Sequence, residues 1–158
     1  MQPIIRRMQS QDIGAIANIL RKIEWFVQIN NESEEKTYQR VFKNLELCNK
    51  DNSHSVYVAL SKYEEICGYI SVHWNPYLFL PGPEGYVSEL FVHPKYQGRG
   101  IGTSLLEKVK QEASERGCYR LTLINNRIRE SYEKGFYKKN GWEERAQMAN
   151  FVYIINKG

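Results

Sequence analysis

One stretch limits the folds open to this chain more than any other. Glu89-Leu90-Phe91-Val92-His93-Pro94 is a β-rich run closed by a proline. Gln97-Gly98-Arg99-Gly100-Ile101-Gly102-Thr103 follows it as a glycine-rich turn and opens a helical pattern. A strand that feeds a helix through a tight turn belongs to a sheet with helices on its faces. Glycine lacks a Cβ, so such a turn lets backbone approach a ligand closely. The first N–H groups of the helix have no intrahelical partner and lie at the positive end of its dipole. The arrangement suits an anion such as a pyrophosphate. It is not a P-loop, because no Gly-Lys-Ser/Thr follows, and Thr103 breaks the dinucleotide-binding spacing. A tight turn with no ligand is the competing reading.

The rest of the chain alternates between two periodicities. Pro3 to Met8 reads as a first strand, and Ser10 as the cap of a helix carrying Ile13, Ile16, Ala17, Leu20 and Ile23 on one face. Glu34 to Leu47 reads as a second helix with Tyr38, Val41, Phe42 and Leu45 inward. Ser55–Leu60 and Ile66–Val72 read as an antiparallel hairpin, and Tyr86–Val92 as a strand. Asn75–Pro83 holds three of the five prolines and reads as a loop. Gly100 to Arg116 is a strong helix stopped by Gly117, and Tyr119–Ile124 a strand. Arg129–Asn140 reads as one helix closed by Gly141, and Trp142–Ile155 as a final pair of strands. The expectation is α/β (mixed α+β), a mixed sheet with helices on its faces, in one domain over residues 1–158.

Composition narrows the function classes. The chain has 158 residues, 42% of them apolar and 13% aromatic, enough for a real core. No apolar run approaches ~18 residues, so no membrane span is expected. No signal-peptide core is visible near the N-terminus, so a cytoplasmic protein is expected. Three widely spaced cysteines give no disulfide framework, and three histidines without close pairing give no metal site. The net charge of +4 raises the question of nucleic acid, but no basic face with interleaved aromatics is present. Residues 1–94 hold 9 Lys+Arg against 11 Asp+Glu, and residues 95–145 hold 12 against 7. The positive excess therefore lies in the half with the glycine turn, where it would steer a phosphate-bearing ligand. The slightly acidic half suits a cationic amine.

Gln97-x-x-Gly100-x-Gly102, preceded by Leu-x-Val-x-Pro and followed by Leu105-Leu106, resembles the acetyl-CoA signature of the GNAT superfamily of N-acetyltransferases. Arg129 to Trp142 is similar to that family's helix ending in Phe-Tyr-x-x-x-Gly-Phe, with Trp142 for the usual Phe and Ser131 for the usual Ala. The resemblance covers nearly the whole chain. It implies a mostly antiparallel sheet, splayed between the strands that flank the cofactor helix. It implies acetyl-CoA as cosubstrate, with pantetheine along the exposed strand edge near Phe91 and Val92. The N–H groups from Gln97 through Gly98, Arg99, Gly100, Ile101 and Gly102 to Thr103 would hold the pyrophosphate. Arg99 reads either as a phosphate contact or as a solvated surface charge.

Acyl transfer from a thioester to an amine has three demands. The amine must lose its proton, the oxyanion needs donors, and the leaving thiolate benefits from an acid. The resemblance implies direct attack through a tetrahedral intermediate, with a backbone N–H near Val92 polarising the carbonyl. It makes Tyr137 the acid, the alternative being an aromatic core stripe with Tyr132 and Phe136. Glu89 is the candidate base, directly or through a water, its apolar neighbours raising its pKa; an edge-strand charge is the other reading. Tyr77, Leu78 and Phe79 read as an acceptor wall, a lid or a homodimer contact. Trp25 and Phe26 read as core or as acceptor-facing. The acceptor is expected to be the primary amine of a small molecule. A protein N-terminus or lysine, and a non-catalytic acetyl-CoA sensor, are the alternatives.

Overall fold

The computed structural model describes residues 2–156 and divides into two compact units, Met1–Ile124 and Asn125–Gly158. The first begins with β1 (Ile4–Arg7), α1 (Ile13–Lys22), α2 (Val27–Asn30) and α3 (Glu34–Cys48). It continues with β2 (His54–Leu60), β3 (Ile66–Asn75), β4 (Glu84–Val92), α4 (Ile101–Glu115) and β5 (Arg120–Leu123). The strands form one sheet in chain order, antiparallel except for the parallel pair β4–β5. The expected mixed, mostly antiparallel sheet is what forms.

Side chains alternate across a strand, so each strand serves two faces. On one face α1 packs Ile16, Ile19, Leu20 and Ile23 against Val58 of β2 and Tyr69 of β3. On the other, α4 buries Ile101, Leu105, Leu106 and Val109. Gly68 of β3 is needed there. A Cβ on it would meet the Phe91 carbonyl oxygen at 3.1 Å and the Ile101 side chain at 3.2 Å, so glycine lets the start of α4 settle beside β4.

Glu112 of α4 ties that helix to the sheet. Its carboxylate accepts hydrogen bonds from Ser55 Oγ (2.9 Å), Tyr57 Oη and Arg116 Nε (3.0 Å), and pairs with Arg7 (2.8 Å). Burial opposes its ionisation, but these bonds and the Arg7 charge outweigh burial and hold its pKa below the ordinary value.

Several local expectations change. Ser10 caps nothing; it starts a 3₁₀ turn, and Asp12 does the capping work by accepting the Gln9 N–H at 2.8 Å while Arg6 grips its carboxylate. On α3, Tyr38 and Phe42 are exposed, and Thr37, Val41 and Leu45 make the inward stripe at i, i+4, i+8 spacing.

The second unit holds α5 (Glu130–Glu133) and α6 (Phe136–Lys139) in place of one long helix. Gly135 takes φ +67, a left-handed conformation that ends a helix, so the expected helix is cut there and closes again at Gly141 (φ +87). The expected final strands do not form among the described residues. Glu143, Glu144, Arg145 and Gln147 break the alternation, and Phe151 to Ile155 are exposed. No helix among the described residues is long and apolar enough to cross a membrane.

Candidate active site

β4 carries the site because one irregularity turns its side chains over. Val72 opposes Val87 and Ser71 opposes Glu89, so Ser88 is an extra residue, a β-bulge. Simple alternation would put Val87 and Glu89 on one face. With the bulge, Val87 is buried beside Val72, and Glu89 turns to the face of Ser71 and Tyr69.

Beyond the bulge β4 also loses a neighbour. Its ladder with β5 stops at Val87 opposite Leu123, so Glu89 to Val92 pair with β3 alone. His93 N–H donates to Cys67 O at 2.8 Å, which sets the alternation along the strand. Phe91 therefore directs its backbone at Tyr69 of β3, while Leu90 and Val92 turn theirs to the unpaired side. The Val92 carbonyl accepts from Gln97 Nε2 at 3.2 Å. Here the sheet is splayed as expected, and Leu90 joins Val92 as a residue with outward backbone.

The glycine turn follows directly. Gly98 and Gly100 take φ +76 and +79, conformations that side chains resist, and a Cβ at either would point into open space. Ser104 N–H is the first to bond back, to Gly100 O at 3.0 Å. The N–H groups of Ile101, Gly102 and Thr103 begin α4 with no side-chain cap. Arg99 is exposed, its guanidinium 5.5 Å from the centre of the Tyr96 ring. The Tyr96 hydroxyl is held by Glu65.

Glu89 opens into a cavity of about 250 Å³ between the sheet and α1, α2 and α3. Its walls are Ile16, Leu20, Phe26, Ile29, Val41 and Leu45, and its polar groups are Arg40, Asn44, Tyr69, Ser71 and Glu89. Burial pushes the Glu89 pKa up, and one hydrogen bond from Tyr69 Oη at 2.9 Å only partly offsets it. Burial raises the Tyr69 hydroxyl well above its usual range, helped by the adjacent carboxylate. Cys48 also lines the cavity; burial and then Glu89 raise its thiol, so it is no nucleophile at neutral pH. Phe91 gathers Trp25, Phe26 and Tyr69 edge-on at 5.5 to 5.8 Å. Phe26 thus faces the cavity, and neither it nor Trp25 is buried core. Tyr77, Leu78 and Phe79 are exposed and line none of it.

Within the second unit Tyr137 packs edge-on to Phe136 (5.0 Å) and Trp142 (6.1 Å). Burial pushes its pKa up to about 12, so the phenol is protonated at neutral pH. Tyr132 instead donates to Glu144, which also holds Arg127. No group of acidic, cysteine or histidine side chains that would hold a metal occurs among the described residues.

Sequence reasoning missed Tyr69, Gly68 and Arg40. Tyr69 sits in a plain β-rich run, and only the register that sets it near Glu89 reveals it. Gly68 in the middle of a strand was the one available signal, since an interior glycine often marks a close approach.

Comparison with known proteins gives the family. Residues 17–142 match the model of the acetyltransferase (GNAT) family. A thialysine N-epsilon-acetyltransferase of Mus musculus is 27% identical over 130 residues, covering 77% of this chain and 74% of its own. A transcriptional regulator from Bacillus halodurans C-125 superposes with a TM-score of 0.78 at 25% identity, over 96% of this chain and 99% of its own. An aminoglycoside acetyltransferase from an uncultured soil metagenomic sample gives 0.75 at 21% identity, over 98% and 97%. The chain belongs to the GNAT acetyltransferase family.

Proposed function

We propose that this protein transfers the acetyl group of acetyl-CoA to the primary amine of a small molecule. The observation that carries the reading is the position of Glu89. It is a partly buried carboxylate with a raised pKa, on the cavity face of β4 in the stretch beyond Val87 where the strand has β3 as its one neighbour. The thialysine acetyltransferase among its relatives acts on a small amine, which supports the same acceptor class.

Acetyl-CoA supplies an activated thioester, and this chain's groups fit it in two places. The N–H groups of Ile101, Gly102 and Thr103, with Gly98 and Gly100 leaving space before them, suit the pyrophosphate. Gln97 and Arg99 border the turn. The outward backbone of Leu90 and Val92 suits the amides of pantetheine, as an added strand would. Phe91 supports that edge through its ring cluster rather than its backbone.

An alkylammonium has a pKa near ~10.4 and cannot attack while protonated. Glu89 takes that proton, directly or through a water, and its raised pKa makes it a better base than an ordinary carboxylate. The Val92 N–H donates to the thioester oxygen as it gains charge. Tyr137, whose hydroxyl has no hydrogen bond among the described residues, donates its proton to the departing thiolate, as the resemblance of its helix implies.

A thiol-release assay on a panel of primary amines tests the reading. Turnover with an acetylated product, lowered about a hundredfold or more in Tyr137→Phe, is expected. Binding of acetyl-CoA with no thiol release on any amine would replace it with a sensor function. An unchanged rate in Tyr137→Phe would remove that residue from the mechanism.

A further inference from the structure

The cavity beside Glu89 has a charge pattern that selects among amines. It offers one acid, Glu89, and one cationic residue, Arg40. The cation is already spent. Both terminal nitrogens of Arg40 are bound by the Glu32 carboxylate, Nη2 to Oε2 at 2.7 Å, and Thr37 Oγ1 adds a bond to Glu32 at 2.9 Å. Glu32 belongs to the link before α3, and its side chain is 6% exposed and held by both Arg40 and Thr37. A carboxylate or phosphonate on an acceptor would find no free cation among the lining residues. A second ammonium would find no second acid. Each would be a charge brought into an apolar site without a partner.

The remaining lining is hydrocarbon and aromatic ring, with Asn44, Ser71, the Tyr69 hydroxyl and the Cys48 thiol as neutral exceptions. The volume of about 250 Å³ is below the usual range of roughly 300–1,000 Å³ for small-molecule pockets. Phe26 and Tyr69 line the cavity and present ring surface where an alkyl or aryl body would lie, with Phe91 packed edge-on against both.

We propose that the acceptor is a primary monoamine on an uncharged, apolar body, bound with its nitrogen at Glu89. This inference rests on the amine-acetylation reading above and narrows it.

The test is a matched series at one chain length: n-hexylamine, the corresponding ω-amino acid and the corresponding ω-diamine. Thiol release from acetyl-CoA is followed with the purified full chain. The kcat/KM for n-hexylamine should exceed that of both charged relatives by about tenfold or more. Glu32→Gln, which frees Arg40 and touches no reacting group, should raise the ω-amino acid relative to n-hexylamine by about tenfold. Equal or reversed preference in the native chain overturns the inference and leaves amine acetylation standing. So does turnover of a peptide amine with none of the three accepted. An unchanged ratio in Glu32→Gln, with n-hexylamine turnover retained, overturns the role given to Arg40. No turnover on any amine, with acetyl-CoA bound, overturns the broader reading as well.

Discussion

The two faces of the sheet each hold a carboxylate away from bulk water, and they hold it in opposite ways. Toward α4, Glu112 has four polar partners and a pKa below the ordinary value near 4.5. Toward α1 and α3, Glu89 has one hydrogen-bond partner, an adjoining cavity, and a pKa above that value. The first carboxylate is satisfied by the fold and stabilises it. The second is left short of partners, and a group so placed can take a proton from something that enters.

The signs of the two pH dependences follow. Glu112 has a lowered folded pKa, so its stabilisation is present above its unfolded value and lost as pH falls through the folded one. Glu89 has a raised folded pKa, so its contribution is present at acid pH and lost as pH rises through that value. One face loses stability in acid, and the other costs stability toward neutrality in return for a usable base.

Replacing each acid breaks the comparison in a different observable. Glu89→Gln should lower kcat/KM for amine acetylation by about a hundredfold or more while the melting temperature at neutral pH holds or rises. An unimpaired rate would make Glu89 a structural residue like Glu112. Glu112→Ala should cost about 3 kcal/mol in denaturant unfolding, because Arg7, Tyr57 and Ser55 lose a shared buried partner. In the folded enzyme at low temperature its kcat should be close to native. A catalytic defect larger than the loss of folded protein would contradict the division between faces. Tyr69→Phe sharpens the contrast with a smaller effect. It removes the one bond that favours the ionised Glu89, so the acid limb of the rate profile should move to higher pH, with less than about a tenfold loss at its plateau.

Much of this was readable from the residues, and the rest failed for identifiable reasons. The turn at Gly98 and Gly100, the helix behind it and the β2–β3 hairpin carry local signals, and they form where expected. Glu89 was singled out by its apolar neighbours, but its face was not, because the bulge at Ser88 has no sequence mark and reverses the alternation. Arg40 carries no sequence signal of its own; α3 places it on the cavity with Glu32 beside it. Gly135 was overlooked inside an otherwise helical pattern. The apolar run Phe151 to Ile155 looked like a strand, but a strand needs a partner for its backbone groups, and sequence pattern does not supply one.

The pH dependence of kcat/KM in the native protein and in Glu89→Gln, measured with one amine, is the most direct test of the central claim. The native profile should show an acid limb displaced above 4.5, and Glu89→Gln should lack it. The same limb at the same pH in both proteins would contradict the account.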